Sequence, residues 1–110
     1  MGEITLDELL KIDFVGGTLV EYKEGSGFDV EFSRAEITSA GIIHDKEWKQ
    51  DFFSVLTSDK KCVMEINTAL FEELCVVRKE GNVYYFMDVY SENHALAPKG
   101  VVIPGPSRDN

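Results

Sequence analysis

The chain has 110 residues, 44% of them hydrophobic and 11% aromatic, so it can bury the core of one domain and does not read as a disordered polymer. Twenty Asp and Glu against eleven Lys and Arg give a net charge of -9, which repels phosphate backbones and anionic lipid headgroups. The charge argues against direct nucleic-acid or membrane binding and suits a cationic partner.

No apolar run approaches the roughly 18–20 residues of a helical membrane span. Acids stand near the start of the chain, where a signal peptide would carry cations. The expected location is cytoplasmic.

Thr5-Leu6-Asp7-Glu8 fits a capping box, with Thr5 as N-cap and Glu8 three residues on. Leu6, Leu9 and Leu10 supply an apolar stripe, predicting a short helix over 6–11 that Gly16-Gly17 closes. Residues 18–23 and 28–33 read as a hairpin around Gly25-Ser26-Gly27. A three-residue loop pairs Glu24 with Phe28 and Tyr22 with Val30. Thr18, Val20, Tyr22, Phe28, Val30 and Phe32 then share one face, and Glu21, Lys23, Asp29 and Glu31 the other. In that register Glu21 faces Glu31.

Residues 34–44 have no decisive pattern, because Gly41 interrupts Ile37, Ile42 and Ile43. Trp48, Phe52, Val55 and Leu56 fall at i, i+4, i+7 and i+8, predicting an amphipathic helix over 45–57. The competing reading is a strand over 51–57 followed by a turn at Ser58-Asp59-Lys60. Residues 62–66 read as a short strand, with Asn67 or Thr68 capping a helical turn through Ala69, Leu70, Phe71 and Leu74.

Residues 74–79 and 83–90 form the clearest hairpin. A Gly81-Asn82 turn sets Leu74, Val76, Tyr85, Met87 and Val89 on one face. Cys75, Val77, Tyr84, Phe86 and Tyr90 take the other. Strands apolar on both faces belong in the middle of a sheet. Val101-Val102-Ile103 reads as a short edge strand. The expected fold is α+β: a mostly antiparallel sheet of five or six strands with two or three short helices packed on it. Residues 1–103 form a single domain and 104–110 a frayed tail.

Motifs for chemistry are absent from the sequence. His44 and His94 belong to no metal-binding pattern, and Cys62 and Cys75 form no Cys-x-x-Cys. The cysteines read as buried reduced thiols and the histidines as surface imidazoles. Gly25-Ser26-Gly27 lacks the Lys and the helix start of a phosphate loop. The expectation is a non-enzymatic protein with no metal and no cofactor.

The charge is unevenly placed. Residues 1–45 hold ten acids and three bases, net -7, whereas residues 46–110 hold ten acids and eight bases, net -2. An acidic face on a rigid strand pair suits a partner rich in Lys and Arg, with salt-dependent association. By analogy of charge and size, the reading is an immunity or inhibitor protein that neutralises a basic partner. That partner is a nuclease toxin or another nucleic-acid-binding enzyme, with carboxylates standing where phosphates would. The expected contact residues are Glu21, Glu24, Asp29, Glu31 and Glu36, with Trp48 as an aromatic anchor. Trp48 could also pack its helix onto the sheet. β-augmentation along an exposed edge of the first hairpin is a further mode. One alternative is a ligand-binding or catalytic domain whose pocket is lined by Tyr84, Phe86, Tyr90 and His94. Another is a structural subunit whose two-faced hairpin is covered by a second chain.

Overall fold

The structure, a computed structural model, describes residues 4–60, 63–88 and 92–105. Helix α1 (Leu6–Leu10) opens it, followed by strands β1 (Thr18–Tyr22), β2 (Glu31–Asp45), β3 (Gln50–Thr57) and β4 (Met64–Asn67). A 3-10 turn (Thr68–Leu70) leads into α2 (Phe71–Leu74), then β5 (Cys75–Glu80), β6 (Val83–Asp88) and β7 (His94–Ala97). The strands form a seven-stranded sheet in the order β4-β3-β2-β1-β7-β6-β5, with antiparallel neighbours throughout. The mostly antiparallel architecture with few short helices agrees with the sequence reading, but there are seven strands, not five or six.

The capping box forms. Glu8 N donates to Thr5 Oγ1 at 3.2 Å, and Thr5 N donates to Glu8 Oε1 at 2.9 Å. This fixes the start of α1 so that Leu9 enters the core.

β2 serves two neighbours in turn. Its first part pairs with β1 as far as Glu36, and from Ile37 it pairs with β3. Register shifts at Glu21/Tyr22 and Ile37/Ser39 let the strand bend between them. The sheet therefore carries one face of β1, β5, β6 and β7 onto the same core as one face of β3 and β4. Leu19, Phe53, Val55, Met64, Ile66, Val77, Tyr84, Phe86 and Leu96 meet there, with Leu9, Phe14 and Phe71 from outside the strands. Phe53 stacks on Phe86 with centroids 6.5 Å apart.

The opposite face holds a second cluster of Val20, Tyr22, Val83, Ala95 and Ala97, with Ile103 packed among them. The segment at Ile103 covers that face as an irregular stretch, not as the expected edge strand. Arg34 Nη1 donates to the Ile103 carbonyl at 3.0 Å and ties the segment down.

The central strand is β1, whose Leu19 and Val20 are both fully buried on opposite faces. The 75–88 hairpin has the predicted turn, since Glu80 pairs with Val83 around Gly81 and Asn82. It is not the middle of the sheet, however: β5 is an edge strand, and Val76 is exposed. Leu74, at the end of α2, and Asp88 are described only in their backbone. Val89 and Tyr90 lie outside the described residues, as do Cys62 and residues 106–110.

The helix expected over 45–57 does not form. Ile42 and Ile43 pair with Phe53 and Phe52, so β2 and β3 make a hairpin with its turn at residues 46–49. The competing strand over 51–57 is the correct reading. β7 carries no expectation in the sequence, yet all four of its residues are buried, including His94, which was expected at the surface. His44 is exposed and lies 2.5 Å from Asp51 through Nδ1 and Oδ1. Cys75 is buried, as expected.

Candidate functional site: an acidic groove at the β1–β2 turn

The expected hairpin register does not hold. Glu21 pairs with Ser33, and Tyr22 pairs with Glu31 across a bulge, so Glu21 and Glu31 are not opposed. The connection is also longer than three residues. It spans 23–30 and is stitched by Ser26, whose Oγ donates to the Lys23 carbonyl at 2.7 Å and accepts from Val30 N at 3.3 Å. Lys23 N donates to the Val30 carbonyl at 2.7 Å. Gly25 and Gly27 take positive φ of 82° and 64°, which this tight loop requires. Phe28 belongs to the loop and not to a strand. It wedges edge-on between Tyr22 and Tyr85, at 5.0 and 5.3 Å between centroids, and anchors the loop to the sheet.

The bulge turns Phe32 outward. Placed on the core face by the alternation of Phe28, Val30 and Phe32, it is instead 67% exposed. Val30 is exposed as well. Beside Phe32 lies an open groove of about 410 Å³ lined by Glu21, Tyr22, Lys23, Glu24, Phe32 and Glu92. Three carboxylates thus share a concave surface with one lysine and an exposed aromatic ring. Such a surface can accept a lysine or arginine side chain, with charge from the acids and a π-face from Phe32.

Burial raises the Glu21 pKa above the ordinary carboxylate range, and the charge of Glu92 raises it further; the nearby Ser33 hydroxyl opposes both. Glu21 is therefore held charged at a cost in stability, which a bound cation would relieve. A folded pKa above the unfolded one favours the protonated carboxyl. That advantage is complete below the unfolded pKa and is lost as pH rises through the folded one. Glu21→Gln, which mimics the protonated form, is expected to raise the urea midpoint at about pH 7 and to change it less at about pH 4. No gain at the higher pH would contradict the assignment.

The other expected contact residues are distributed differently. Glu24 lines the groove with Glu21. Asp29 is exposed on the same loop. Glu31 is engaged by Arg34, whose Nε and Nη2 reach its two oxygens at 2.9 and 2.8 Å. Those hydrogen bonds pull the Glu31 pKa down against the effect of burial, so its charge is already matched within the chain. Glu36 is exposed on β2 opposite Thr18.

Trp48 is 70% exposed in the β2–β3 turn and does not pack a helix on the sheet. It follows the end of β2, whereas the groove flanks its beginning. No residue of the β2–β3 turn lines the groove, so Trp48 and the groove are separate surfaces. Sequence reasoning missed Phe32 and Glu92. Glu92 carried no signal, and Phe32 was hidden by the bulge.

The aromatics proposed for a ligand pocket fill the core instead. Tyr84 packs edge-on to Phe14 at 5.6 Å, and Phe86 stacks on Phe53. The space beside Phe86 and His94 is about 40 Å³, room for a water and not for a ligand. Tyr90 lies outside the described residues. The first hairpin has no free edge at β1, which lies between β2 and β7; the sheet ends at β4 and β5. Among the described residues no group of three or more His, Cys, Asp and Glu could hold a metal ion, and no helix is long and apolar enough to cross a membrane. Compared with protein-family models, curated proteins and solved structures, the chain matches none.

Proposed function

We propose that this chain is a non-enzymatic inhibitor that acts in the cytosol by binding and neutralising a basic protein. The partner is a nuclease toxin or another nucleic-acid-binding enzyme, and the contact centres on the groove of Glu21, Glu24, Phe32 and Glu92. The observation that carries the reading is the groove itself. Its carboxylates are gathered around an exposed phenyl ring, and Glu21 stands there above its ordinary pKa. The net charge of -9 and its concentration in residues 1–45, which include Glu21 and Glu24, support the same reading, since a negative surface steers a basic partner toward the molecule. A nucleic-acid-binding enzyme presents Lys and Arg at phosphate spacing, and carboxylates can occupy those positions.

The test is binding of the partner by calorimetry over a salt series. Glu21→Lys, Glu24→Lys and Glu92→Lys combined are expected to weaken binding at least about 100-fold and to flatten its salt dependence, because close interfacial charge pairs carry several kcal/mol. Unchanged affinity and slope would overturn the site assignment.

A further inference from the structure

The bend in β2 has a consequence at its far end. β1 leaves β2 at Glu36, and Gly16 and Gly17 continue the ladder only as far as Ile37. Residues 38–45 then have β3 on one side. Among the described residues, no backbone hydrogen bond reaches them from the other side. Every second residue of this stretch therefore turns its N–H and C=O toward an open lane. Ile42 and Ile43 are 43% and 45% exposed there.

Natural sheets protect such an edge with lysine, proline, an inward charge or a bulge. Ser39-Ala40-Gly41-Ile42-Ile43 has none of these within it; the register shift between Ile37 and Ser39 and the carboxylate of Asp45 stand at its two ends. In a molecule of net charge -9 the run 39–43 offers a basic partner no carboxylate to pair with, and an uncharged edge is complemented by one like itself.

We propose that a second copy of this chain pairs antiparallel along residues 38–45 of β2, making a two-fold dimer whose sheets run continuously through the contact. The lane ends where Gly17 and Thr18 begin, which limits how far the second copy can slide. A register with Ile42 opposite Ile42 satisfies that limit. It sets Ile43 of each copy over Gly41 of the other, where a side chain meets nothing within 4 Å. A strand glycine often marks such a close approach. The contact lies at the opposite end of β2 from the acidic groove and stands whatever that groove binds.

Sedimentation equilibrium of the full chain tests this. Wild type is expected at twice 12.4 kDa at micromolar concentrations, with slow amide exchange along residues 38–45 that quickens on dilution. Ile42→Lys places two like charges on the two-fold axis and is expected to weaken self-association at least about tenfold. Ile43→Lys is the second variant, and Val102→Lys, at a site 79% exposed and outside β2, is the control that leaves the dimer intact. Circular dichroism reports that each variant folds. A wild-type chain that stays monomeric to millimolar concentration overturns the proposal. So does a dimer that both isoleucine variants leave unchanged, or one whose protected amides lie elsewhere.

Discussion

Phe53→Ala is expected to cost about 3–5 kcal/mol of stability, the range for truncating a large buried aromatic. Phe53 is 1% exposed and lies on β3, and its ring stacks on Phe86 of β6. Those strands are far apart in sheet order and meet only because the sheet bends through β2. The ring pair thus joins the two parts of the sheet, and the cavity left by alanine would lie between them. A domain of this size has roughly 5–15 kcal/mol in all, so the variant loses a large share. Urea unfolding measures it. A loss under about 1 kcal/mol would mean that the bend is held by other contacts. Phe32→Ala is the internal comparison. As an exposed residue it should stay within about 0.5 kcal/mol of wild type.

Gly17→Ala is the second large effect, and its sign is opposite to the usual one. At a compatible site this substitution stabilises by about 0.4–1 kcal/mol through the unfolded chain. At Gly17 an added Cβ would lie 1.9 Å from the Ala97 carbonyl oxygen and 2.8 Å from the Pro98 carbonyl carbon. Both neighbours are backbone, so no side chain can swing away. β7 cannot shift easily, because Ala95, Leu96 and Ala97 are fully buried between β1 and β6. Gly17 also accepts from Ile37 N and donates to Phe14 O, both at 2.9 Å. The expected loss is about 3 kcal/mol, the upper end for overpacking. An unchanged urea midpoint would contradict the close approach.

Local chemistry was legible where local chemistry decides the structure. The Thr5–Glu8 capping box and the Gly81-Asn82 turn specify their elements with little help from the rest of the chain. The Asn67 cap is of the same kind, with Oδ1 accepting from Ala69 N at 2.8 Å. The failures came where distant pairing overrides a local signal. Asp45 accepts from the amides of Glu47 and Trp48 at 2.9 and 3.0 Å, as a helix N-cap would. Lys49 then takes a φ of 56° and turns the chain back, and Ile42 and Ile43 find Phe53 and Phe52. The misfit of Phe53 to the helical stripe was the available clue, since Phe53 and Val55 alternate as strand residues do.

β7 was invisible for another reason. His94-Ala95-Leu96-Ala97 has weak strand propensity, and its small residues suit a place covered on both faces that only the assembled sheet creates. The excess of acids in residues 1–45 was legible, and Glu21 and Glu24 do share a groove. Phe32 was not, because a one-residue bulge at Tyr22 reverses which side chains face out.

The central claim is inhibition of a basic enzyme through the acidic groove. It is tested most directly by capturing partners from lysate of the source cells at about 50 mM and about 500 mM salt, conditions that differ strongly in screening. The captured protein is then assayed for nucleic-acid cleavage or binding as this chain is added. The account predicts one basic protein, retained at low salt and released at high salt. Its activity should fall in proportion to added wild-type chain and not to the Glu21→Lys, Glu24→Lys, Glu92→Lys variant. A captured protein that stays fully active, or one inhibited equally by the variant, would contradict the account.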